Sequence, residues 1–347
     1  MIRTVTIVSL SAGSIGEPHI AHELKLGVDR LESMGLNVRF STHALKGRDF
    51  IKNHPEARAA DLIEAYCDPE TDMILCAIGG DDTYRLSPYL FGNGELAAAV
   101  NGAAGDKIFL GFSDTTVNHL MLHKLGVKTF YGQSFLADVC ELDSDMLPYS
   151  KKYFTELIET GGIREIRPSD VWYEERQSFA PDRIGTPRVQ HTNTGFELLQ
   201  GAPHFTGRIL GGCIESMYDL FSRDRYPDTV EICAKYGLFP TLDDWRGRIL
   251  LLESSEEKPA PGLYEKMLNV LKAYGLFSVV SGVLVGKPMD ETYASEYKEL
   301  LVRVIDDPEL PILWNVNIGH ATPRCIMPFG VEAEVDALNQ VISLDNT

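Results

Sequence analysis

Ser113 lies where a serine hydroxyl can act as a nucleophile. It follows the run from Lys107 to Gly111, which predicts a buried strand, and it precedes Asp114, Thr115 and Thr116, which favour the start of a helix. A sharp turn between a strand and a helix exposes the serine. The same turn aims helix N-terminal amides at the attacked carbonyl oxygen, as in a nucleophile elbow. These residues therefore favour nucleophilic hydrolysis, provided that a base lies nearby.

The match of this segment to the elbow pattern is partial. Gly111 supplies the leading glycine of G-x-S-x-G, whereas Thr115 stands where the trailing glycine belongs. A simpler interpretation makes Ser113 the N-cap of the following helix. Residue types alone favour that interpretation, because capping serines far outnumber catalytic ones.

Two further residues at strand ends supply the partners that a nucleophilic serine needs. Glu253 ends the apolar run from Arg248 to Leu252, and His320 follows the apolar segment from Ile312 to Val316. An imidazole can take the serine proton, and a carboxylate can orient that imidazole and stabilise its cation. The alternatives are a loop histidine bonded to backbone and an exposed acid at a strand end. Ser, Glu, His is one of the chain orders that such triads adopt.

The other histidines offer weaker chemistry. His119 and His123 lie four residues apart on a predicted helix, a spacing that suits two metal ligands, but no matching carboxylate signature accompanies them. We therefore expect ordinary helix histidines and no metal. The remaining histidines have no predicted partner or flank a polar connection: they are His19, His22, His43, His54, His191 and His204.

A glycine turn follows the third predicted strand. Gly79 and Gly80 let the backbone approach a ligand closely, and they precede Asp81 and Asp82. The turn can supply a second oxyanion donor, or it can be a plain connection between a strand and a helix. Glycines 13 and 16 after the first strand fall short of a dinucleotide-binding fingerprint, so no nucleotide cofactor is predicted.

Composition narrows the class of protein. The chain has 347 residues, 50 acidic and 32 basic, with a formal charge of −18 at pH 7. Such a surface repels phosphate backbones and anionic lipid, so we predict neither nucleic-acid nor membrane partners, but a small-molecule or short-peptide substrate. The six cysteines form no C-x-x-C pair, and the apolar run from Thr4 to Leu10 is too short for a membrane span and lacks a basic leader. These features predict free thiols and a cytoplasmic location.

Strand and helix patterns alternate along the first 165 residues, which is typical of parallel β-α-β units. Between about Pro168 and Gly201 the apolar periodicity disappears, which indicates a domain seam or a binding loop. We therefore expect an α/β protein with an N-terminal domain over 1–165, a connection and substrate-binding loop over 166–205, and a C-terminal domain over 206–347. Ligands in such folds bind beyond the carboxyl ends of the strands, where the candidate residues lie.

Several spaced motifs together resemble the LD-carboxypeptidase family of serine peptidases, over nearly the whole chain and in order. The form of the glycine turn, the chain length and the insert that begins at Pro168 are similar to the branch of the microcin C immunity protein. The motifs are Ile78-Gly79-Gly80-Asp81-Asp82-Thr83-Tyr84-Arg85-Leu86-Ser87-Pro88-Tyr89-Leu90, Gly111-Phe112-Ser113-Asp114-Thr115-Thr116, Gly207-Arg208-Ile209-Leu210-Gly211-Gly212, Leu251-Leu252-Glu253 and Gly319-His320.

The resemblance implies a fold and a set of roles. It implies an N-terminal parallel-sheet domain of flavodoxin- or amidotransferase-like type, a smaller C-terminal mixed β/α domain, a homodimer, and no metal or cofactor. Ser113 would be the nucleophile, His320 the base and Glu253 its partner. The oxyanion hole would use the amides of Gly80 and Asp114. Substrate contacts would come from Asp81, Trp172 and Phe179; Phe179 stands where the branch has a second tryptophan.

Three functions remain as hypotheses. The first is a serine amidase that cleaves the amide of aminoacyl-nucleotide conjugates. The second is a murein tetrapeptide LD-carboxypeptidase with the same triad. The third is a catalytically silent α/β protein that keeps a ligand cleft at the domain seam.

Overall fold

A computed structural model describes residues 1–345. Within these residues, six strands form the first sheet. The strands of this sheet are β1 (Thr4–Val8), β2 (Asn37–Phe40), β3 (Met73–Cys76), β4 (Ile108–Gly111), β5 (Thr129–Tyr131) and β14 (Met327–Phe329). Their order is β14-β5-β4-β3-β1-β2, and all neighbours are parallel except β14 and β5. The strands β1, β3 and β4 are buried along their whole length, as a sheet covered on both faces requires.

Eight strands form the second sheet, which is mixed. They are β6 (Glu165–Ile166), β9 (Glu197–Gln200), β10 (His204–Cys213), β11 (Ile249–Glu253), β12 (Gly282–Gly286), β13 (Ile312–Val316), β15 (Glu332–Asp336) and β16 (Val341–Asp345). Their order is β6-β16-β15-β10-β11-β12-β13-β9. The four central strands from β10 to β13 run parallel, and the outer ones are antiparallel. The predicted α/β class, with a parallel N-terminal sheet and a mixed second sheet, is confirmed.

The described part of the chain contains twelve α-helices, which connect these strands. Within residues 1–345, none of them is long and apolar enough to cross a membrane. The helices are α1 (Ala21–Ser33), α2 (Arg48–Asn53), α3 (Pro55–Cys67), α4 (Ser87–Phe91), α5 (Glu95–Gly102), α6 (Thr116–His123), α7 (Pro148–Thr160), α8 (Ile214–Asp219), α9 (Thr229–Tyr236), α10 (Leu242–Trp245), α11 (Pro261–Tyr274) and α12 (Ala294–Ile305).

The polar connection is more structured than its sequence indicates. It contains a hairpin of β7 (Val171–Tyr173) and β8 (Gln190–Thr192), and β9 lies in the same connection. Two arginines, Arg176 and Arg188, hold the segment between β7 and β8 through ion pairs to the buried Glu141, at 2.5 and 2.7 Å. Ion pairs between residues distant in the chain therefore hold this segment in place. Such pairs produce no apolar periodicity, so the sequence pattern does not indicate this structure.

The two sheets share one continuous core of buried apolar side chains. The strand β14 crosses from the C-terminal part of the chain to pair with β5 in the first sheet. Between the sheets, the Cys213 amide donates a hydrogen bond of 3.0 Å to Oγ1 of Thr116 on α6. This packing brings the carboxyl ends of β4 and β11 together.

Candidate active site

Ser113 occupies a strained turn between β4 and α6. Its φ is +66°, in the left-handed region that costs a non-glycine residue about 1 kcal/mol or more. The helical turn Ser113–Thr115 has Phe112 as its N-cap, and no side chain caps it. The hydroxyl Oγ of Ser113 instead lies 3.0 Å from Nε2 of His320. The N-cap interpretation is therefore wrong.

The imidazole of His320 lies between Ser113 and Glu253. Its Nδ1 donates to Oε2 of Glu253 at 2.7 Å, and its backbone amide donates to the same oxygen at 3.2 Å. Both side chains are buried. Glu253 is the last residue of β11, and His320 lies in the loop that follows β13. Burial alone would lower the pKa of His320, but its contacts with Glu253 and with Glu256 outweigh burial and raise that pKa to about 10. The two carboxylates thus favour the imidazolium form of His320. This is the form that a general base reaches once it has accepted a proton.

Tyr131, at the end of β5, joins the carboxylate to the serine turn. Its hydroxyl donates a 2.6 Å hydrogen bond to Oε1 of Glu253 and accepts one of 3.1 Å from the Ser113 amide. Glu253 therefore has a donor on each of its oxygens. Tyr131 was not among the residues predicted from the sequence; the signal that could have found it is its place at the end of β5.

We predict that Tyr131→Phe lowers kcat/KM roughly 5- to 150-fold. This corresponds to a loss of about 1–3 kcal/mol of transition-state stabilisation, because the substitution leaves buried groups of Glu253 and Ser113 unpaired. Tyr66→Phe is the matched control, since the Tyr66 hydroxyl is buried without a hydrogen-bond partner. Steady-state kinetics on both folded variants make the comparison. Equal rates in the two variants would contradict a role for Tyr131.

The glycine turn packs directly against the serine. A Cβ added at Gly79 would lie 2.6 Å from Oγ of Ser113, and one at Gly80 would lie 2.2 Å from Oγ of Ser11. Only glycine fits at either position, so the turn backbone lies beside the Ser113 hydroxyl. The Asp114 carboxylate accepts hydrogen bonds from the Ser11 hydroxyl and, at 2.9 Å, from the Thr83 amide. Burial raises the pKa of Asp114 to about 6.

A buried ion pair holds the far side of this turn. The fully buried Arg58 donates to Oδ1 of Asp82 at 2.7 Å and to the carbonyls of Leu10 and Ser11 at 3.1 and 3.3 Å. Arg58 on α3 thereby ties together the segments that follow β1 and β3. Nothing in the sequence pointed to Arg58, because a lone arginine on an amphipathic helix normally faces solvent.

A cavity opens beside Ser113, and Gly80, Asp81 and Asp114 are among its lining residues. A second opening shares Gly80 and Asp81 with it. The Asp81 carboxylate is bound by Lys52 at 3.0 Å, which holds the pKa of Asp81 below its usual value although burial would raise it. The other lining residues of the first cavity are Cys213, Glu215, Ser216, Asp219, Arg225, Ser255, Glu256 and Glu257.

The two aromatic candidates lie elsewhere. Trp172 is buried and stacks on His191 of β8, with ring centroids 4.4 Å apart, and the Lys287 ammonium lies 5.2 Å from its ring centroid. Phe179 is exposed, and its carbonyl contacts His22 of α1. Neither ring lines the two openings beside Ser113. Their predicted contact with substrate stays a prediction.

Several of the remaining histidines have structural partners. His119 is buried between Thr129 and the Gly111 carbonyl, at 2.8 and 3.1 Å, and burial lowers its pKa to about 3. This agrees with an ordinary helix histidine. The expectation that His43 has no partner is wrong, because Nδ1 of His43 lies 2.8 Å from the buried Asp61. That contact joins residues 18 positions apart, which local sequence does not predict.

Comparison with known proteins places this chain in a family. The description "LD-carboxypeptidase N-terminal domain" matches residues 5–132, and "LD-carboxypeptidase C-terminal domain" matches residues 206–335. The chain belongs to the LD-carboxypeptidase family. It is a serine hydrolase, as this family of serine peptidases and its carboxypeptidase relatives indicate.

Three relatives are informative. An MccF-like protein from Streptococcus pneumoniae, solved in complex with AMP, is 64% identical, covers 99% of each chain and has a TM-score of 0.97. The microcin C7 self-immunity protein MccF of Escherichia coli is 24% identical over 92% of this chain and 86% of its own. A structure of MccF with glutamyl sulfamoyl guanosine has a TM-score of 0.79, at 22% identity over 99% and 96% of the two chains. A probable murein peptide carboxypeptidase of Bacillus subtilis is 25% identical over 91% and 84%.

Proposed function

We propose that this protein is a serine amidase that cleaves the amide between an aminoacyl residue and a nucleotide or sulfamoyl-nucleotide. The observation that carries the proposal is the contact chain in which Ser113 Oγ lies 3.0 Å from His320 Nε2, and His320 Nδ1 lies 2.7 Å from Glu253. A serine hydroxyl is nearly inert unless such a base accepts its proton.

The proposed reaction has two halves. His320 takes the proton of Ser113 as the hydroxyl oxygen attacks the amide carbonyl, and Glu253 stabilises the imidazolium. The amides of Gly80 and Asp114 bind the oxyanion, at about 3 kcal/mol per donor in comparable hydrolases. His320 then protonates the leaving nitrogen. Water, deprotonated by the same imidazole, hydrolyses the acyl-serine and regenerates the hydroxyl.

Relatives support the nucleotide part of the substrate. The 64% identical S. pneumoniae protein was solved with AMP, and MccF was solved with glutamyl sulfamoyl guanosine and with aspartyl sulfamoyl adenosine. The acidic surface of this chain, with its formal charge of −18, also favours a small substrate over a nucleic acid.

A murein peptide carboxypeptidase is the second candidate, favoured by the B. subtilis relative. Both candidates use the same proposed triad, so substrate turnover has to separate them. We expect the purified protein to hydrolyse an aminoacyl-sulfamoyl-adenosine and to leave a murein tetrapeptide intact, with products followed by mass spectrometry. Turnover of the tetrapeptide alone would replace the first proposal by the second.

A fluorophosphonate probe tests the enzyme against the silent binding protein. This probe phosphonylates an activated serine, so we expect stoichiometric labelling, mapped to Ser113 by peptide mass spectrometry. An unlabelled wild-type protein, or a label on another residue, would remove the nucleophile assignment.

Assembly, location and domain limits complete the proposal. We propose a homodimer, to be checked by light scattering. A cytoplasmic location is supported by six cysteines that are all unpaired. The division into 1–165, 166–205 and 206–347 stays a prediction, which limited proteolysis of the connection would test.

A further inference from the structure

A second carboxylate lies against the proposed base. Oε2 of Glu256 is 3.0 Å from Nε2 of His320, the same nitrogen that lies 3.0 Å from Oγ of Ser113. One ring nitrogen carries at most one hydrogen, and Nδ1 already donates to Glu253. When Nε2 donates to Glu256, the ring is an imidazolium and cannot accept the Ser113 proton. The contact with Glu256 therefore opposes the first step of the proposed reaction.

The groups around His320 leave Glu256 as the one that can move. Glu253 is buried at the end of β11, and the Phe112 ring packs 5.0 Å from the imidazole. Arg324 donates to the His320 carbonyl at 2.9 Å and is held by Asp138. Glu256, in contrast, lies on an exposed loop after β11, with 63% of its side chain accessible.

Each of the other carboxylates in the cavity beside Ser113 has a partner of its own. Arg225 pairs with both Asp219 and Glu257 at 3.0 Å. Lys52 binds Asp81, and the Ser255 amide and hydroxyl donate to Glu215, both at 2.8 Å. The Asp114 carboxylate accepts from Ser11 and Thr83. Glu256 is thus the cavity carboxylate that contacts the proposed base itself. A cationic group of a ligand can take the place of the His320 imidazolium beside Glu256.

The proposed substrates carry such a cation at the right distance. In an aminoacyl conjugate the α-nitrogen lies about 2.5 Å from the scissile carbonyl carbon. That carbon approaches the nucleophile to about 3–3.5 Å before attack. The ammonium group therefore lies within about 6 Å of Ser113 Oγ. Because Glu256 and Ser113 are both 3.0 Å from Nε2, their oxygens lie within twice that distance of one another.

We propose that Glu256 selects substrates with a free ammonium group beside the scissile carbonyl, by exchanging the imidazolium of His320 for that ammonium group. The inference rests on the proposed function. In the free enzyme Glu256 keeps Nε2 protonated. When the substrate ammonium binds Glu256, Nε2 loses this acceptor, releases its proton to water and becomes free to accept the proton of Ser113. A substrate without the ammonium group leaves the base occupied.

The pH dependence of fluorophosphonate labelling tests the first half of the exchange. This probe has no ammonium group, so it reports the free base. The pKa of His320 is raised to about 10, so wild-type labelling should rise with pH towards that value. We expect Glu256→Gln to move the rise down by about 1–2 pH units and to speed labelling at pH 7 at least tenfold. Identical pH profiles in the two proteins would overturn the proposal.

Substrate discrimination tests the second half. An aminoacyl-sulfamoyl-adenosine is compared with its N-acetyl analogue, which lacks the ammonium group. We expect wild type to prefer the free amine by about tenfold or more in kcat/KM. We expect Glu256→Gln to lose that preference, because its base is free to react with the N-acetyl analogue and because the free amine binds with a higher KM. A preference that survives in Glu256→Gln would overturn the proposal.

Glu257→Gln is the matched control for both experiments. It removes the same charge from the same cavity one residue away, but its carboxylate binds Arg225. We expect a smaller shift of the pH profile, because Glu257 is not the group that holds Nε2. An equal shift would mean that overall charge, rather than the contact of Glu256, sets the profile. Failure of Ser113 labelling in wild type would instead remove the proposed function.

Discussion

Ser113→Ala is expected to abolish fluorophosphonate labelling and to lower kcat by about 10⁴-fold or more, with little change in stability. The reason is geometric. The hydroxyl lies 3.0 Å from Nε2 of His320, and in the described part of the chain no other hydroxyl or thiol contacts that nitrogen. Substrate affinity should change little, since the cavity walls remain in place.

Ser144→Ala provides the control for this variant. Ser144 is exposed, and among the residues that the structure describes its hydroxyl contacts only the neighbouring Asp143. The two serine variants are compared by labelling, single-turnover kinetics and thermal unfolding. Residual activity of Ser113→Ala close to that of Ser144→Ala would show that another group attacks the carbonyl.

Gly319→Ala is expected to disable the proposed base, although it replaces none of the proposed catalytic residues. A Cβ at this position would lie 2.4 Å from Oε2 of Glu253, the oxygen that binds His320. The substitution therefore displaces the carboxylate from the imidazole. Loss of the orienting acid costs about 10⁴-fold in serine proteases, so we expect kcat/KM to fall by about 10³-fold or more.

Gly35→Ala separates this clash from the backbone cost. Gly319 has a φ of +89° and Gly35 a φ of +82°, but nothing lies within 4 Å of a Cβ at Gly35. Both variants should lose about 1–2 kcal/mol of unfolding free energy, because alanine is strained in the left-handed region, and Gly319→Ala should lose more because of its clash with the buried Glu253. Only Gly319→Ala should lose activity. Comparable activities after correction for the folded fraction would contradict the steric argument.

The sequence alone was sufficient to single out Ser113, Glu253 and His320. Each follows an apolar run, and carboxyl ends of strands are where α/β proteins gather their ligands. The strand patterns also predicted the α/β class, because parallel strands buried on both faces read as continuous apolar runs. The residue types left open whether Ser113 was a cap, since the same serine suits both roles.

Tertiary structure decided the contacts that link distant parts of the chain. The serine and the imidazole lie 207 positions apart, and Tyr131 and Glu253 lie 122 apart. Such pairs follow from the way the two sheets pack. The same holds for the stacking of Trp172 on His191; the substrate contact of Trp172, which the family resemblance implies, stays a prediction.

Local patterns in this chain determined which side chains sit at strand ends, because burial and periodicity act over a few neighbouring residues. They did not determine which acid of the segment 253–257 contacts the proposed base in addition to Glu253. In the structure that acid is Glu256. That choice depends on the packing of β11 against the loop after β13. Sequence periodicity reflects the burial of neighbouring residues, so it does not predict a contact between two elements that are distant in the chain.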